Sequence, residues 1–340
     1  EIQAKYGSDD YKQIAGTVTG PLSESVSYSL TGLYRDREAE RDLVSADRTL
    51  IAPAITWDIT PDTKLTGLAY YQLDHVDGDT NGYLPVYGTL LPNPLGEVDP
   101  ATNVGDPNNR FEREQWAYGY EFSHKLTDTV SFISNSKLSS YDEETPTSIY
   151  GGGGLVDDDF DGVPDDYRTV QQYNFSYAEH VDSFASDNRF DISLDAGAVS
   201  HQIIAGVDYR KVENKADYGF IFANRIDLFN PVHAPQATLE PGYPFSFNNQ
   251  TLKQTGLYVQ DHIGLGKLFF TISGRQDWVT IENNATNEST DQEKFTYRAG
   301  ANYIFDNGVA PYISYATSFE PVLGSDSVTG EEFDPSDGEQ

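Results

Sequence analysis

The stretch QWAYGYEFSHK, residues 115–125, alternates aromatic side chains with small or polar ones along most of its length. A period of two residues is the spacing of a β-strand, in which successive side chains point to opposite faces. This segment therefore predicts a strand with one apolar face and one face in a polar environment. The apolar face holds Trp116, Tyr118, Tyr120 and Phe122, and the other holds Ala117, Gly119, Glu121, Ser123 and Lys125.

Similar alternation recurs along the chain and predicts about thirteen strands. Many of them exceed the ~5–6 residues of a usual globular strand and reach the ~9–11 residues with which a tilted strand crosses a bilayer. Strand length therefore favours a membrane barrel over a soluble sandwich. The other predicted strands are 1–6, 10–20, 25–36, 47–58, 63–74, 129–141, 182–195, 200–213, 252–263, 267–278, 294–305 and 309–319.

The predicted connections alternate between short turns and long loops. The short ones, such as TPDT (60–63) and LTDT (126–129), carry turn-forming residues. In an up-and-down meander every second connection lies at the same end of the sheet, so one end carries all the long loops. Outer-membrane barrels have this asymmetry, with short periplasmic turns and long extracellular loops. The predicted long connections are 37–46, 75–111, 142–181, 214–251 and 281–293.

Aromatic side chains are also expected at two heights along the strands. Trp57 precedes a tight turn, whereas Tyr70, Tyr71, Trp116 and Trp278 lie near the predicted long loops. Two such rows are typical of the interfacial girdles of membrane barrels.

Composition excludes several classes of protein. The net charge is −32, with 22 Lys and Arg against 54 Asp and Glu, so binding to nucleic acid is not expected. There is no Cys, which excludes disulfides and thiolate metal sites.

The sequence has no Met and no signal peptide, and its last predicted strand leads into a polar stretch. We therefore expect an internal segment of a longer chain, with further strands after residue 340.

Motifs for catalysis are absent from the sequence, and no enzyme activity is predicted. The six histidines show no HxxxH or HxH spacing, so a zinc site is not expected. His75, His180 and His233 lie where an axial haem ligand would be needed, but no haem-receptor motif accompanies them. A passive porin-like channel, a haem receptor and a secreted β-rich protein remain the alternatives.

Several motifs resemble the barrel of TonB-dependent siderophore receptors, in particular the ferrichrome and ferrioxamine (hydroxamate) branch. The resemblance extends over residues 1–340 and implies an all-β, transmembrane, antiparallel up-and-down β-barrel, with about 13 of about 22 strands present. It also implies that a plug domain with a TonB box precedes residue 1. The motifs are GYLPVYGTLLPNPLG (82–96), GVDYR (206–210), LYVQDHI (257–263), SGRQDW (273–278), YRAGANYIFDNGVAPYISYATSFEP (297–321) and DPSDGEQ (334–340).

The resemblance implies a receptor in the outer membrane of a Gram-negative bacterium that takes up a ferric siderophore and is energised through TonB. A monomer surrounded by outer-membrane lipid is expected, and no cofactor is required. The iron arrives already chelated, so the protein performs no covalent chemistry.

A ferric siderophore is bulky and has apolar and amide surfaces, which suits rigid aromatic side chains with polar tips. By resemblance, Tyr83 lies where the family often has Trp, and Tyr150 begins a Tyr-Gly-aromatic pattern whose second aromatic is replaced by Gly152. Tyr218 and Phe220 match an aromatic-Gly-aromatic pair. The predicted siderophore-binding residues are Tyr83, Tyr87, Tyr150, Tyr218 and Phe220.

The segment VDDDFDGVPDD (156–166) places carboxylates at alternate positions before a turn-forming Gly162. Oxygen ligands in this pattern can surround a hard cation, and the segment resembles thrombospondin type 3-like calcium repeats. The acidic residue that closes an EF-hand would fall at Arg168, so an EF-hand is not predicted. The alternative is a plain hydrophilic loop. The candidate calcium ligands are Asp157, Asp159, Asp161 and Asp165.

Overall fold

The computed structural model describes residues 1–78, 83–234, 245–322 and 333–340. Within this part of the chain, one antiparallel sheet of fourteen strands follows the sequence order, each strand pairing with its neighbours in the chain. None of the described residues forms a helix with the length and apolar character needed to cross a membrane. The strands are β1 (Ile2–Tyr6), β2 (Lys12–Pro21), β3 (Val26–Glu38), β4 (Ser45–Thr60), β5 (Thr63–Asp77), β6 (Arg110–Lys125), β7 (Val130–Leu155), β8 (Thr169–Ala196), β9 (Val199–Asp227), β10 (Phe245–Leu265), β11 (Leu268–Asn283), β12 (Glu288–Tyr303), β13 (Tyr312–Glu320) and β14 (Ser336–Glu339).

The predicted meander is confirmed, with one strand more than expected. The polar stretch near the end of the chain contributes β14, which pairs with β13 from Thr317↔Glu339 to Glu320↔Ser336. The tight turns are confirmed as well. Gly197 and Gly266 each follow a strand with positive φ, at 70° and 60°. Glycine adopts this backbone conformation without steric cost.

The predicted long loops are wrong over much of their length. Residues 142–155 and 169–181 belong to β7 and β8, and 214–227 extends β9. Most of 281–293 is also paired strand, between β11 and β12. Polar side chains dominate these segments, but their backbone groups are satisfied by ladder hydrogen bonds whatever the side chain. The connections that remain at this end are 7–11, 39–44, 78–109, 156–168, 228–244, 284–287 and 321–335, of which 79–82, 235–244 and 323–332 lie outside the described residues.

Two faces of the sheet differ in chemistry. What we call the apolar face presents large exposed side chains, including Leu257, Ile272, Trp278 and Phe295. What we call the polar face is lined by ion pairs: Arg275 Nη2 lies 3.0 Å from Asp208 Oδ1 and 2.6 Å from Asp277 Oδ1. This division matches a barrel with lipid outside and a polar lumen.

Tyr70 departs from the expected aromatic girdle. Its hydroxyl donates to Gln72 Oε1 at 2.7 Å, and Gln72 is buried on the polar face. Tyr71 and Trp116 pair across β5 and β6 on the apolar face, as a girdle requires. A one-residue difference in position decides the face, because side chains alternate along a strand.

A bulge in β7 shifts the alternation of that strand. Glu143 pairs with Glu179 and Thr145 with Tyr177, but the next pair is Ser148↔Phe175, so Pro146 and Thr147 add one residue to β7. Proline cannot donate a ladder hydrogen bond and is found in strands at edges and bulges. The extra residue brings Tyr150 to the polar face; an unbroken register would leave it on the apolar face.

The connection between β5 and β6 packs against the extended ends of β8 and β9. Its Val98 and Val104 are buried with Val170, Ile226 and Leu228. Asn109 fixes the end of this connection to β7: its Nδ2 donates to Ile149 O at 2.7 Å, and Ile149 N donates to its Oδ1 at 2.7 Å.

Candidate functional site

Seven aromatic side chains lie together on the extended parts of β7, β8 and β9. The Tyr173 ring lies 5.3 Å from the rings of Phe220 and Phe222, measured between centroids, and 5.7 Å from that of Tyr150. The Phe175 ring lies 6.1 Å from that of Tyr218. These distances are those of interacting aromatic pairs. The cluster, called the aromatic wall below, consists of Tyr150, Tyr173, Phe175, Tyr177, Tyr218, Phe220 and Phe222.

Strand register explains why the rings share a face. Tyr177 pairs with Tyr218, Phe175 with Phe220 and Tyr173 with Phe222. Register is unbroken from these pairs down to Asp187↔Asp208, so the aromatic wall continues the polar face of the sheet. It stands at the end of the sheet that carries the long connections. The rings are therefore at the end of the polar face that carries the long connections.

Three of the five predicted ligand-binding residues are part of this wall: Tyr150, Tyr218 and Phe220. The structure adds Tyr173, Phe175, Tyr177 and Phe222, which the prediction of a long loop at 142–181 and of another at 214–251 had concealed. The sequence did contain a signal for the first three, because QYNFSY (172–177) alternates aromatic and polar residues as a strand does. Phe222 is 72% exposed, so its ring is open to a ligand.

Tyr83 adjoins the wall, whereas Tyr87 lies apart from it. Tyr83 forms an isolated bridge with Gly152, and its side chain is 74% exposed. The Tyr87 ring packs edge-on against Tyr167, with centroids 5.5 Å apart. Tyr167 belongs to the connection between β7 and β8, so Tyr87 holds two connections together and is not part of the wall.

Two glutamates face each other directly below the wall. Glu143 on β7 pairs with Glu179 on β8, one position beyond Tyr177 on the same face. Arg113 binds Glu143 Oε2 through Nε at 3.1 Å and Nη2 at 2.8 Å. Burial, followed by the hydrogen bond to Glu179, raises the pKa of Tyr177 to about 12. Tyr177 therefore keeps its proton, and its hydroxyl donates a hydrogen bond to that carboxylate.

The acidic connection between β7 and β8 brings three of its four predicted calcium ligands together. Carboxylate oxygens of Asp157, Asp159 and Asp165 all lie within 4.8 Å of one another. Asp161 is outside this group, and its Oδ1 accepts a hydrogen bond from Val163 N at 2.8 Å. The oxygens are hard ligands on a short turn, which fits Ca²⁺ better than a softer metal.

Asp158 is not part of that carboxylate group and ties the connection to β9. Arg225 binds it with both terminal nitrogens, Nη1 to Oδ2 at 2.9 Å and Nη2 to Oδ1 at 2.6 Å. The hydrogen bond from Arg225 lowers the pKa of Asp158, against a smaller opposing effect of burial.

The three histidines considered as haem ligands all have partners. His75 lies between Asp47 and Glu112, with nitrogen–oxygen distances of 3.4 and 3.1 Å. His180 lies between Asp142 and Asp182. His233 Nδ1 is 2.9 Å from Gly105 O. None of the three is part of the aromatic wall.

Known proteins resemble this chain in sequence and in fold. Residues 56–340 match the family described as TonB dependent receptor-like, beta-barrel. The ferrichrome outer membrane transporter/phage receptor of Escherichia coli K12 is 31% identical over the whole chain, which covers 48% of that protein. The ferrioxamine B receptor of Salmonella typhimurium SL1344 is 30% identical, again over the whole chain and 47% of the relative. The chain thus spans about half the length of these relatives.

Among solved structures, the pyoverdine outer membrane receptor FpvA of Pseudomonas aeruginosa, bound to pyoverdine, superposes with a TM-score of 0.83. The two sequences are 18% identical, and the match covers 100% of this chain and 49% of FpvA. The siderophore receptor PiuA of Acinetobacter baumannii gives a TM-score of 0.80 at 18% identity, over 99% of this chain and 52% of PiuA. At these identities the likeness establishes the fold.

Proposed function

The chain belongs to the TonB-dependent receptor-like β-barrel family, and on this premise we propose that it forms the mouth of an outer-membrane receptor for a ferric hydroxamate siderophore. The family is one of Gram-negative outer-membrane receptors and transporters, so the polar face of the sheet faces the lumen. The long connections then lie outside the cell. The hydroxamate class rests on the named ligands of the two relatives at 31% and 30% identity.

The aromatic wall is the observation that supports ligand binding at this end. A ferric hydroxamate exposes amide and methylene surface around a chelated metal, and rigid aromatic rings bind such surface with little loss of side-chain entropy. Tyr150, Tyr173 and Tyr218 add hydroxyl groups that can bond to the carbonyl oxygens of the ligand. Tyr83, which is exposed and bridged to Gly152 beside the wall, extends the same surface.

Transport is a binding and release process in this proposal. The wall binds the intact ferric complex from the outside, and energy coupled through TonB releases it inward. The chain performs no bond-breaking step on the ligand or on the metal. Coupling through a plug domain and TonB rests on family membership, as does the expectation that this chain is the barrel domain of a monomeric receptor.

The test uses the full-length receptor in detergent and ferrichrome or ferrioxamine B as probe. We expect saturable quenching of the intrinsic fluorescence by at least one ferric hydroxamate, and weaker quenching by a ferric tricatecholate. A parallel uptake assay with radioactive iron, in cells with and without TonB, separates this function from a porin. Uptake that persists unchanged without TonB, or a folded receptor that binds no ferric hydroxamate, would contradict the proposal.

We further infer that Asp157, Asp159 and Asp165 bind Ca²⁺, with Asp161 at the edge of that site. The close approach of three carboxylate groups within 4.8 Å is costly without a cation between them. An ion there would order the acidic connection, which the ion pair of Asp158 and Arg225 already anchors to β9.

A further inference from the structure

Glu143 and Glu179, next to the aromatic wall, carry two negative charges. The cation that contacts this pair, Arg113, carries one positive charge. Glu143 and Glu179 are directly opposite on neighbouring antiparallel strands, an arrangement in which like charges repel. Arg113 contacts the pair through Glu143, and Tyr141 also donates a hydrogen bond to that carboxylate. One guanidinium therefore neutralises one of the two charges.

Glu179 is held by neutral donors. Asn214 Nδ2 lies 2.5 Å from its Oε1, and the Tyr177 hydroxyl bonds to the same carboxylate. In the part of the chain that the structure describes, no Lys, Arg or His nitrogen comes within ion-pair distance of Glu179. Its side chain is only partly buried, so the charge can be reached from the lumen.

Aromatic rings lie next to this carboxylate on the side from which a ligand arrives. Tyr177 is the next residue on the same face of β8, and its cross-strand partner is Tyr218. The faces of aromatic rings attract cations. An alkylammonium group placed here would therefore donate a hydrogen bond to the oppositely charged Glu179 carboxylate and make a cation–π contact with a tyrosine ring. A neutral amide N–H could donate a hydrogen bond to Glu179 but would gain neither the ion-pair attraction nor the cation–π contact, and an anionic group would be repelled.

We propose that Glu179 is a specificity-determining residue of the siderophore site, which favours ferric complexes with a pendant ammonium group over neutral or anionic ones. This inference rests on the proposed function, because the ammonium reaches Glu179 only if the ferric complex occupies the aromatic wall. Glu179 would thus select ligands by their charge, in addition to the selection by shape and apolar contact at the wall.

The experiment compares two probes that share one iron centre. Ferrioxamine B carries a terminal ammonium group, and its N-acetylated derivative is neutral at that position. Affinities are measured by fluorescence quenching on the full-length receptor in detergent. We expect the wild type to prefer the ammonium form by about tenfold, the usual effect of one charged hydrogen bond. Because salt screens the interaction, the preference should fall as ionic strength rises.

Glu179→Gln keeps the side-chain size and removes the charge. We expect this variant to lose the preference while its affinity for the acetylated probe stays that of the wild type. Glu144→Gln is the matched control, because Glu144 is the neighbour of Glu143 on the opposite face of β7 and is exposed. Glu144→Gln should retain the full preference.

Three outcomes would overturn the inference. Equal, salt-independent binding of both probes by the wild type would remove the charge criterion and leave the proposed function intact. A preference that survives in Glu179→Gln would assign it to another residue. Failure of the folded wild type to bind either probe would overturn this inference, and would overturn the proposed function as well if ferrichrome also failed to bind. If Glu179→Gln does not fold, Glu179→Ala is measured in its place, and a preference retained in that variant would overturn the inference.

Discussion

Tyr173 fills the space in front of Gly152: a Cβ atom built on Gly152 would lie 2.3 Å from Cε2 of the Tyr173 ring. The resemblance to hydroxamate receptors places a second aromatic residue at this position of β7. Here the cross-strand neighbour supplies the ring instead. The lack of a side chain at Gly152 therefore leaves room for the Tyr173 ring. An aromatic side chain from β8 covers this position of the surface.

We predict that Gly152→Ala weakens binding of a ferric hydroxamate about three- to tenfold, because the added methyl displaces the Tyr173 ring from its contacts with Phe220 and Phe222. Fluorescence quenching on the purified receptor measures the change. Gly154→Ala is the control, since its Cβ would meet nothing within 4 Å. Equal effects of the two substitutions would show that the Tyr173 ring is not part of the binding surface.

Alternation predicted the meander, the tight turns and the side on which the long connections lie. It did not predict how far the strands extend. Near the long connections, β7, β8 and β9 lack a row of apolar side chains on the lipid-facing side. The alternation that marks a membrane strand is therefore weak there, although ladder pairing continues. The bulge at Pro146 and Thr147 was equally hidden, because alternation read through it assigns Tyr150 to the wrong face.

The candidate site was predicted only in part for the same reason. Tyr150, Tyr218 and Phe220 came from motif resemblance, which works residue by residue and does not need the strands. The carboxylate pair of Glu143 and Glu179 is 36 positions apart in sequence, and register alone brings the two together. Cross-strand neighbours of this kind follow from the pairing of whole strands, which composition and local patterns do not determine.

The aromatic wall predicts unequal effects for two tyrosines. Tyr173→Ala removes a ring with three aromatic neighbours and should weaken binding of ferrichrome or ferrioxamine B about tenfold. Tyr87→Ala should leave affinity within about twofold, because that ring packs against Tyr167 away from the wall. Titration of both variants and the wild type provides the comparison. A larger loss for Tyr87→Ala would restore Tyr87 as a ligand contact and argue against the wall.

We expect substitution of Asn109 to lower stability locally. Asn109→Ala leaves the buried N–H and C=O of Ile149 without their partners, and we expect a cost of about 2–3 kcal/mol to the attachment of this end of the connection between β5 and β6 to β7. Limited proteolysis of the folded receptor should then cleave this connection faster. Asn108→Ala is the control, because the Asn108 side chain bonds to the neighbouring Asp106 and not to β7 among the described residues. Unchanged protection in Asn109→Ala would mean that other contacts hold the connection.

The proposed calcium site predicts different roles for adjacent acidic residues. We expect the receptor to bind Ca²⁺ with a dissociation constant on the order of 10⁻⁴–10⁻³ M, as extracellular modules do. Asp159→Asn should weaken that binding strongly, and Asp161→Asn should weaken it less, because Asp161 lies outside the close carboxylate group. Terbium luminescence competed by Ca²⁺ gives both values. A wild type that binds no Ca²⁺ would make 156–166 a plain acidic connection.

We expect a pH dependence around His180, in the part of β8 near the long connections. Its Nδ1 lies 2.6 Å from Asp142 Oδ1 and its Nε2 3.2 Å from Asp182 Oδ2. The hydrogen bond to Asp142 raises the pKa of His180, against the opposing effect of burial, and Asp182 raises it further. Because the folded state binds the proton more tightly, the stabilisation is fully present below the unfolded pKa of about 6.5 and is lost as the pH rises through the higher folded value.

The effect should be small and local, since the three side chains are about half exposed and solvent screens the pair. Amide hydrogen exchange in β7 and β8 should be slower near pH 6 than near pH 8, after correction for the intrinsic pH dependence of exchange. In His180→Gln this difference should disappear, because no proton is taken up between the two carboxylates. A wild type and a His180→Gln variant with the same corrected pH profile would show that Asp142 and Asp182 do not hold a protonated histidine here.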